Sequence, residues 1–255
     1  KTAATMPVPS CATVTVQKIG IPNWPKILTI DFGGTNCMCD DGKNRRGAIS
    51  ARFSNGWLTP PPVGEKDSIT ITFTNYAVND TLFTGTRTFI KDSLSASNLA
   101  VTLIVTDGGV IYPSNDTIKW NYIASLDLAI GVPGDYTDNI ITLGVNGQVT
   151  DASNTTYAIE TPQSLVAKFN CLSSCLFVQG ALKLTNSTTT TVTIGKTTYN
   201  ANEVTVTSGD FGSGTCDGLV DLAITITGTN IANGNQLFQQ STTNQINCDE
   251  FVDFE

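Results

Sequence analysis

The chain contains no histidine, and this absence excludes several classes of functional site. Nucleophilic systems that pair serine or cysteine with histidine are ruled out, and so is any metal site built on imidazole. Imidazole is also the one side chain whose unperturbed pKa lies near neutrality. An enzyme with this sequence would depend on carboxylates, lysine, tyrosine or an unusual nucleophile, so we expect a protein that is not an enzyme.

Charge is scarce, and most of it is acidic. Charged residues make up 14% of the 255 residues, and the net charge is −8. Basic residues cluster only at Lys43, Arg45 and Arg46, whereas a protein that neutralises phosphates needs a basic face. We therefore expect no nucleic-acid partner.

Long apolar runs are also missing from the sequence. No segment approaches the roughly 20 apolar residues of a membrane-spanning helix. We expect no transmembrane segment, and membrane attachment only through a lipid anchor if one lies upstream. Residues 1–11, which include KTAATMPVPS, read as the arm or tether of a trimmed export product.

The residues that remain are typical of an exported, folded protein. Hydrophobic residues account for 40% of the chain, and the polar remainder is mostly Thr, Ser, Asn and Gly. Such a composition predicts a folded protein with an uncharged polar surface. We expect it in the periplasm, on the outer surface or outside the cell.

The cysteines favour disulfides over zinc. The sequence has no CxxC, only CxC at 37–39 and CxxxC at 171–175, whereas paired zinc knuckles need tighter repeats. We expect one bridge from Cys11 to Cys37 or Cys39 and the others within the C-terminal group, with at least one thiol left over. The seven candidates are Cys11, Cys37, Cys39, Cys171, Cys175, Cys216 and Cys248.

Period-two alternation of apolar and polar residues dominates the chain and predicts β-strands. The fold class is therefore all-β, with about a dozen antiparallel strands in large twisted sheets or a sandwich and little helix. Turn signals separate the runs, among them DDG at 40–42, DGG at 107–109 and VNG at 145–147. The alternating runs are 13–16, 27–32, 48–53, 68–76, 100–106, 117–123, 140–145, 155–160, 191–195, 203–207 and 222–228.

The strand pattern leaves two descriptions of the domain organisation open. A boundary near residue 125 would divide the chain into two related β halves, 12–124 and 125–255. Alternatively the two halves form one continuous domain. The proline-rich segment 59–64 reads as a loop rather than a linker, because strands resume directly on both sides.

Two segments echo each other, DFGGTNCMCDDG at 31–42 and DFGSGTCDG at 210–218. Turn chemistry explains both, since glycines allow positive φ and Asp-Gly pairs form turns. The alternative is calcium, which wants about six to eight oxygen ligands and a sharp glycine turn. The residues that would bind it are Asp31, Asp40, Asp41, Asp210 and Asp217, and no other cofactor is expected.

An ordered series of motifs is similar to one found in a group of secreted proteins and lipoproteins of Bacteroidota. The series is DFG, then DGKNRRG, then TFTNY, then GTRT, and a later DFGSGTCDGLVDLAITITG resembles the C-terminal segment of that group. The likeness covers most of residues 20–228. It implies export, an all-β fold and surface attachment in many members, and it implies no established activity.

Ligand-binding candidates come from cations and aromatic rings. Arg45 and Arg46 lie beside aspartates and suit a sulfate or carboxylate group, unless those aspartates are their partners. Trp57, in a loop, is the best candidate for stacking on a sugar ring, whereas burial is the ordinary state of Trp24 and Trp120. Carboxylates near strands that would serve a glycosidase are Asp127, Glu160, Glu203 and Asp221.

Together these features predict an exported, non-catalytic β-protein that binds a glycan or matrix component, or a surface protein, or has a structural role. One alternative is a carboxylate-based glycan-processing enzyme, which needs two carboxyl groups across a cleft. Another is an architectural subunit of a surface assembly, which predicts an exposed strand edge or a swapped N-terminal arm, with residues 1–16 as the inserting segment.

Overall fold

The structure is a computed structural model that describes residues 11–20, 24–57, 66–132, 135, 137–171, 179–186, 190–194, 197–209, 219–230 and 237–247. Side chains are described as far as residue 185, apart from that of Cys171. Of the predicted N-terminal arm, only Cys11 falls within these ranges.

The described residues form fifteen strands and one short 3-10 helix, Phe169–Cys171. The strands are Thr13–Lys18 (β1), Lys26–Asp31 (β2), Cys37–Met38 (β3), Asn44–Phe53 (β4), Ser68–Val78 (β5), Thr81–Leu94 (β6), Asn98–Ile111 (β7), Thr117–Ala129 (β8), Ile140–Thr150 (β9), Thr156–Lys168 (β10), Gln179–Asn186 (β11), Thr190–Ile194 (β12), Thr197–Gly209 (β13), Leu219–Asn230 (β14) and Leu237–Asn247 (β15).

The sheet follows the order of the chain. Its hydrogen-bonded path is β1-β2-β4-β5-β6-β7-β8-β9-β10-β11-β13-β14-β15, with β3 paired to β4 and β12 paired to β13. Neighbours such as β2 and β4, or β14 and β15, are antiparallel. The prediction of an all-β fold with little helix is therefore confirmed. Among the described helices, none has the length and apolarity needed to cross a membrane.

Alternating burial shows why these sequences form strands. Along β8, half-buried or buried residues alternate with exposed ones from Ile118 onward, as the two faces of a pleated strand require. β1 differs, because all six of its residues are exposed. β1 is the first strand of the sheet and pairs with β2 alone among the described strands.

Two of the predicted turns are wrong. The DGG sequence lies inside β7, where Asp107 has a φ of 50° and its N–H donates to Asn121 Oδ1 at 2.7 Å. The VNG sequence lies inside β9, where Asn146 pairs with Glu160 of β10. In each case pairing with neighbouring strands overrides a local preference for a turn. The DDG turn is confirmed, with Gly42 at a φ of 76°.

At two places in the first unit, residues with positive φ lie against each other on neighbouring strands. Gly47 of β4 has a φ of 77° and lies against Asn75 of β5, which has a φ of 50°. Gly85 of β6 has a φ of 88° and lies against Asp107. A register shift accompanies the first pair, as expected of a β-bulge, which bends a strand and increases its twist.

The chain divides into two compact units. The first comprises residues 1–92 and 102–121, and the second comprises residues 93–101 and 122–255. In the first unit, the ring of Tyr76 packs 5.8 Å from those of Phe32 and Phe73 and 5.7 Å from that of Phe83. In the second, Ala124, Leu165, Ala167 and Ala181 are buried. The predicted division between residues 124 and 125 stays a prediction.

An ion pair in the first unit joins the largest fully buried side chains among the described residues, Lys91 and Asp67. Lys91 Nζ lies 2.5 Å from Asp67 Oδ2, and the two side chains are 1% and 3% exposed. Lys91 also donates to the Trp57 carbonyl oxygen at 2.8 Å. Within the described chain, Asp67 Oδ2 has this charge contact without a well-aligned hydrogen bond. Both charges therefore depend on each other for compensation.

Candidate ligand-binding site

The segment after β2 folds by the turn chemistry that its sequence predicts. Asp31 Oδ1 accepts the N–H of Gly33 at 2.8 Å, and Asp41 Oδ1 accepts that of Lys43 at 3.2 Å. Two backbone bonds hold the segment against β4, from Phe32 N to Gly47 O at 2.9 Å and from Gly47 N to Gly33 O at 2.7 Å. Aspartate side chains and glycines thus shape the first DFG segment, while the second, 210–218, lies outside the described residues.

An open cavity of about 570 Å³ lies beside this segment, within the first unit. It is located where β4 and β5 bulge, since Gly47 and Asn75 both line it. Its lining combines one carboxylate, one guanidinium, an amide, a hydroxyl, three glycines and two aliphatic side chains. The lining residues are Asp31, Gly33, Gly34, Arg46, Gly47, Ala48, Thr74, Asn75 and Leu82.

Arg46 is oriented at the cavity by two polar partners. Its guanidinium donates to Asp80 and to Asn36 Oδ1 at 3.1 Å. Asn36 in turn donates to the same Asp80 oxygen at 3.1 Å. Hydrogen bonds from Asn36 and Arg46 hold the pKa of the Asp80 carboxyl below its usual range. A guanidinium carries five N–H donors, so two such contacts leave donors for a ligand.

Arg45 belongs to a different interaction and does not line the cavity. Its guanidinium binds both carboxylate oxygens of Asp41, at 2.7 Å and 2.6 Å. These hydrogen bonds hold the pKa of the Asp41 carboxyl far below its usual range and raise that of Arg45. The prediction that Arg45 binds an anion gains no support from this geometry, because the Asp41 carboxylate already binds two nitrogens of its guanidinium.

The predicted calcium ligands of the first segment have separate roles. Asp31 lines the cavity, Asp41 is paired with Arg45, and Asp40 is exposed. Across the described residues, no group of three or more Asp, Glu or Cys side chains has the arrangement of a metal site. Asp210 and Asp217 lie outside the described residues, so calcium binding stays a prediction.

The three tryptophans are half-buried rather than displayed on the surface. Trp57 has the buried ammonium of Lys91 at 5.8 Å from its ring centroid, and Lys26 lies 4.2 Å over the ring of Trp24. A Cβ on Gly108 would approach Trp120 Nε1 within 2.3 Å. Trp57 therefore covers an internal ion pair, and neither it nor the other two line the described cavity.

The glycosidase candidates do not gather at this cavity either. Asp127 and Glu160 are exposed, and Glu160 lies 3.4 Å from Lys183 Nζ. The side chains of Glu203 and Asp221 lie outside the described part of the structure. Among the described lining residues, Asp31 is the one carboxylate.

The N-terminal cysteines come together, whereas the other candidates cannot be placed. Cys11 Sγ lies 2.6 Å from Cys39 Sγ, and Cys37 contributes its carbonyl oxygen 3.6 Å from Cys11 Sγ. Cys171 is described only in its backbone, and Cys175, Cys216 and Cys248 lie outside the described residues.

Sequence reasoning found two cavity residues and missed the others. Asp31 and Arg46 were identified from separate motifs, and the structure brings them to one cavity. Thr74, Asn75 and Leu82 were missed because they reach it only through the pairing of β4, β5 and β6. The signal was present in TFTNY, since Asn tolerates positive φ better than most residues.

Comparisons with family models, with curated proteins and with solved structures found no match to this chain. The likeness to secreted proteins of Bacteroidota therefore stays a prediction.

Proposed function

We propose that the chain is an exported, non-catalytic β-protein that binds a hydroxyl-rich ligand of the glycan class in the cavity between Asp31 and Arg46. The proposal places the protein in the periplasm, on the outer surface or outside the cell. It rests on the composition of the chain for the compartment and on the cavity for the ligand.

The observation that carries the proposal is the convergence of complementary polar groups in one open cavity. Asp31 supplies acceptors, Arg46 supplies donors, and Asn75 supplies both. Vicinal hydroxyls of a sugar donate and accept at once, so they suit such a set. A volume of about 570 Å³ falls within the range of small-ligand sites, roughly 300–1,000 Å³.

The same lining favours binding over hydrolysis. Retaining and inverting glycosidases place two carboxyl groups on either side of the scissile bond. The described lining has one, Asp31. The carboxylate of Asp80, which is not among the lining residues, forms an ion pair with Arg46.

Binding of the full chain to a broad glycan array tests the proposal. We expect binding to a subset of glycans that is equal with calcium and with chelator, because the cavity groups need no metal. Calcium-dependent binding would instead favour the aspartate segments as the site. No binding in either condition would contradict the proposal.

Substitutions at the two charged residues then locate the site. Asp31→Asn and Arg46→Gln should each weaken binding about 10- to 100-fold, since a hydrogen bond to a charged group contributes about 1.5–3 kcal/mol. Matched controls are Asp116→Asn, on the exposed β7–β8 turn, and Arg52→Gln, exposed on β4. Calorimetric titration with the best array ligand measures each affinity, and equal losses in the controls would contradict the assignment.

A second candidate function, assembly through a strand edge, is favoured by β1. All six β1 residues are exposed, and Val14 and Val16 are 38% and 62% exposed. Among the described strands, β1 ends the strand order and pairs with β2 alone, and an unpaired edge is a template for another strand. We infer that the occupant would be a second copy of this chain, adding edge to edge.

Sedimentation over a concentration series tests this assembly. We expect concentration-dependent association that Val16→Lys abolishes, because an edge lysine opposes strand addition. Val132→Lys is the control, since Val132 is 65% exposed and lies outside the strands. A monomer at every concentration, or equal effects of the two substitutions, would remove this candidate.

A further inference from the structure

We propose that Cys11 and Cys39 form a disulfide that fastens the start of the edge strand β1 to the turn before β4, while Cys37 keeps its thiol. The bond is a modification site separate from the cavity. Its test does not depend on whether the cavity binds a glycan.

The positions of the sulfur atoms carry the proposal. Cys11 Sγ and Cys39 Sγ lie 2.6 Å apart, well inside the roughly 3.5–4.0 Å at which atoms without a shared bond make contact. A disulfide joins its sulfurs at about 2.05 Å, so a small side-chain rotation brings them to bonding distance. The Cys37 carbonyl oxygen lies 3.6 Å from Cys11 Sγ, and after burial the Cys37 side chain also raises the pKa of Cys11. All three residues are free thiols in the structure, and the 2.6 Å contact between the sulfurs of Cys11 and Cys39 is what favours Cys39 as the partner.

The strand register explains why these two cysteines meet. β1 and β2 run antiparallel with Thr13 opposite Asp31, so the chain before Thr13 continues beside the segment that follows Asp31. In that segment Cys39 accepts the N–H of Gly42 at 2.9 Å and donates its own N–H to Lys43 O at 3.0 Å. Cys39 is 5% exposed, held in a closed turn where the Cys11 side chain reaches it.

The disulfide would restrain β1, a strand that side-chain burial holds only weakly. Because every β1 residue is exposed, side-chain burial contributes little to holding this strand, and its pairing with β2 is the main restraint. A covalent link at residue 11 fixes one end of the strand. Reduction would leave β1 free to separate and would uncover the edge of β2.

Formation of the bond is a two-electron oxidation by a disulfide oxidant such as oxidised glutathione. One cysteine loses its proton and its thiolate attacks a sulfur of the oxidant, releasing one glutathione thiolate. The second cysteine, deprotonated in turn, attacks the mixed disulfide at the protein sulfur and releases the other glutathione. Burial raises the pKa of both thiols, so mildly alkaline conditions favour both attacks. The product persists in an oxidising compartment.

Cyanogen bromide distinguishes the two candidate bridges, because the chain has two methionines, Met6 and Met38. Cleavage after Met38 separates Cys37 from Cys39. A bridge from Cys11 to Cys39 keeps fragments 7–38 and 39–255 joined without reductant, whereas a bridge from Cys11 to Cys37 lies within fragment 7–38. Further digestion with trypsin should yield peptide 7–18 linked to peptide 39–43, detected by mass.

We compare the full wild-type chain with three serine variants, after oxidation with glutathione and alkylation. We expect the fragments to stay joined in the wild type and in Cys37→Ser, and to separate in Cys39→Ser, in Cys11→Ser and after reduction. Two results would overturn the proposal. One is separation of the fragments in the wild type. The other is fragments that stay joined in Cys39→Ser while the wild type yields no 7–18/39–43 peptide pair. The peptide pair is read from the wild type, so the test stands even if a variant fails to fold.

Amide exchange then tests the proposed role of the bond. In Cys39→Ser, or after reduction, β1 amides should exchange at least tenfold faster, whereas those of β9 should not change. Equal protection of β1 in both states would show that the bond does not fasten the strand.

Discussion

At the scale of single residues, Arg45 and Arg46 show how adjacent identical side chains acquire different roles. Successive strand residues point to opposite faces. Arg45 therefore reaches Asp41 and is 19% exposed, whereas Arg46 lies at the cavity with Asp80. Their sequence, RRG, predicts that one faces away from the other. The sequence does not show which of the two arginines meets the carboxylate of Asp41 in the preceding turn.

The buried pair of Asp67 and Lys91 gives a prediction at this scale. Asp67→Ala should lower the free energy of unfolding by about 3–5 kcal/mol, because it leaves the Lys91 ammonium buried without its counterion. Denaturant unfolding measures the loss. Asp116→Ala, at an exposed turn, should change the free energy of unfolding by less than about 0.5 kcal/mol.

The double variant Asp67→Ala/Lys91→Met checks the cause. Replacing a buried ion pair by apolar groups is often neutral, whereas removing one partner is not. We therefore expect the double variant to recover most of the stability that Asp67→Ala loses. A double variant as unstable as the sum of the two single variants would contradict a charge-based explanation.

At the scale of strands, Gly47 and Gly85 mark two positions in the first unit where paired strands depart from regular geometry. Each glycine lies against a neighbouring Asx residue at positive φ. The bulge at Gly47 and Asn75 lies in the lining of the cavity. The local irregularity of two strands therefore positions the proposed binding groups.

Gly85 gives a stability prediction at this scale. A Cβ at residue 85 would lie 2.4 Å from the Asp107 carbonyl oxygen, and the φ of 88° at this residue is unfavourable for alanine. Gly85→Ala should cost at least about 1–3 kcal/mol. Gly34→Ala is the control, since a Cβ there meets no atom within 4 Å. Thermal or denaturant unfolding that shows equal stabilities for the two variants would contradict this account of Gly85.

The same irregular positions limit what the sequence predicts. Strands with regular alternation, such as β8, are evident from the sequence because burial on one face selects apolar residues. β6 was absent from the predicted runs, since Gly85 and Arg87 break its period. β15 was absent because LFQQSTTNQIN has little apolar alternation. Cavity residues were partly missed because the pairing of β4 with β5 and β6 is long-range.

At the scale of the whole molecule, the absence of histidine predicts a flat response to pH near neutrality. Carboxyl groups with lowered pKa values include Asp41, through hydrogen bonds from Arg45, and Asp151, through hydrogen bonds that begin with Ser153. Their folded pKa values lie below the unfolded value of about 3.9. The stability they contribute is therefore fully present above that value and is lost as the pH falls through the folded values.

Urea unfolding as a function of pH measures this prediction. We expect equal unfolding midpoints from pH 5 to 7 and a fall below about pH 4, where the unfolded chain binds more protons than the folded one. A midpoint that changes between pH 5 and 7 would contradict the prediction, because it would require a group that titrates there.

The central claim is that the cavity beside Asp31 and Arg46 binds a glycan, and a cavity-filling variant tests it most directly. Gly34 lines the cavity, and a Cβ there would meet no atom within 4 Å, so Gly34→Leu adds a bulky side chain to the lining. Ala96→Leu adds the same bulk at an exposed turn as a control. On the glycan array, we predict that Gly34→Leu loses at least tenfold of the wild-type binding and that Ala96→Leu retains it. Wild-type binding by Gly34→Leu, or no binding by the wild type, would contradict the claim.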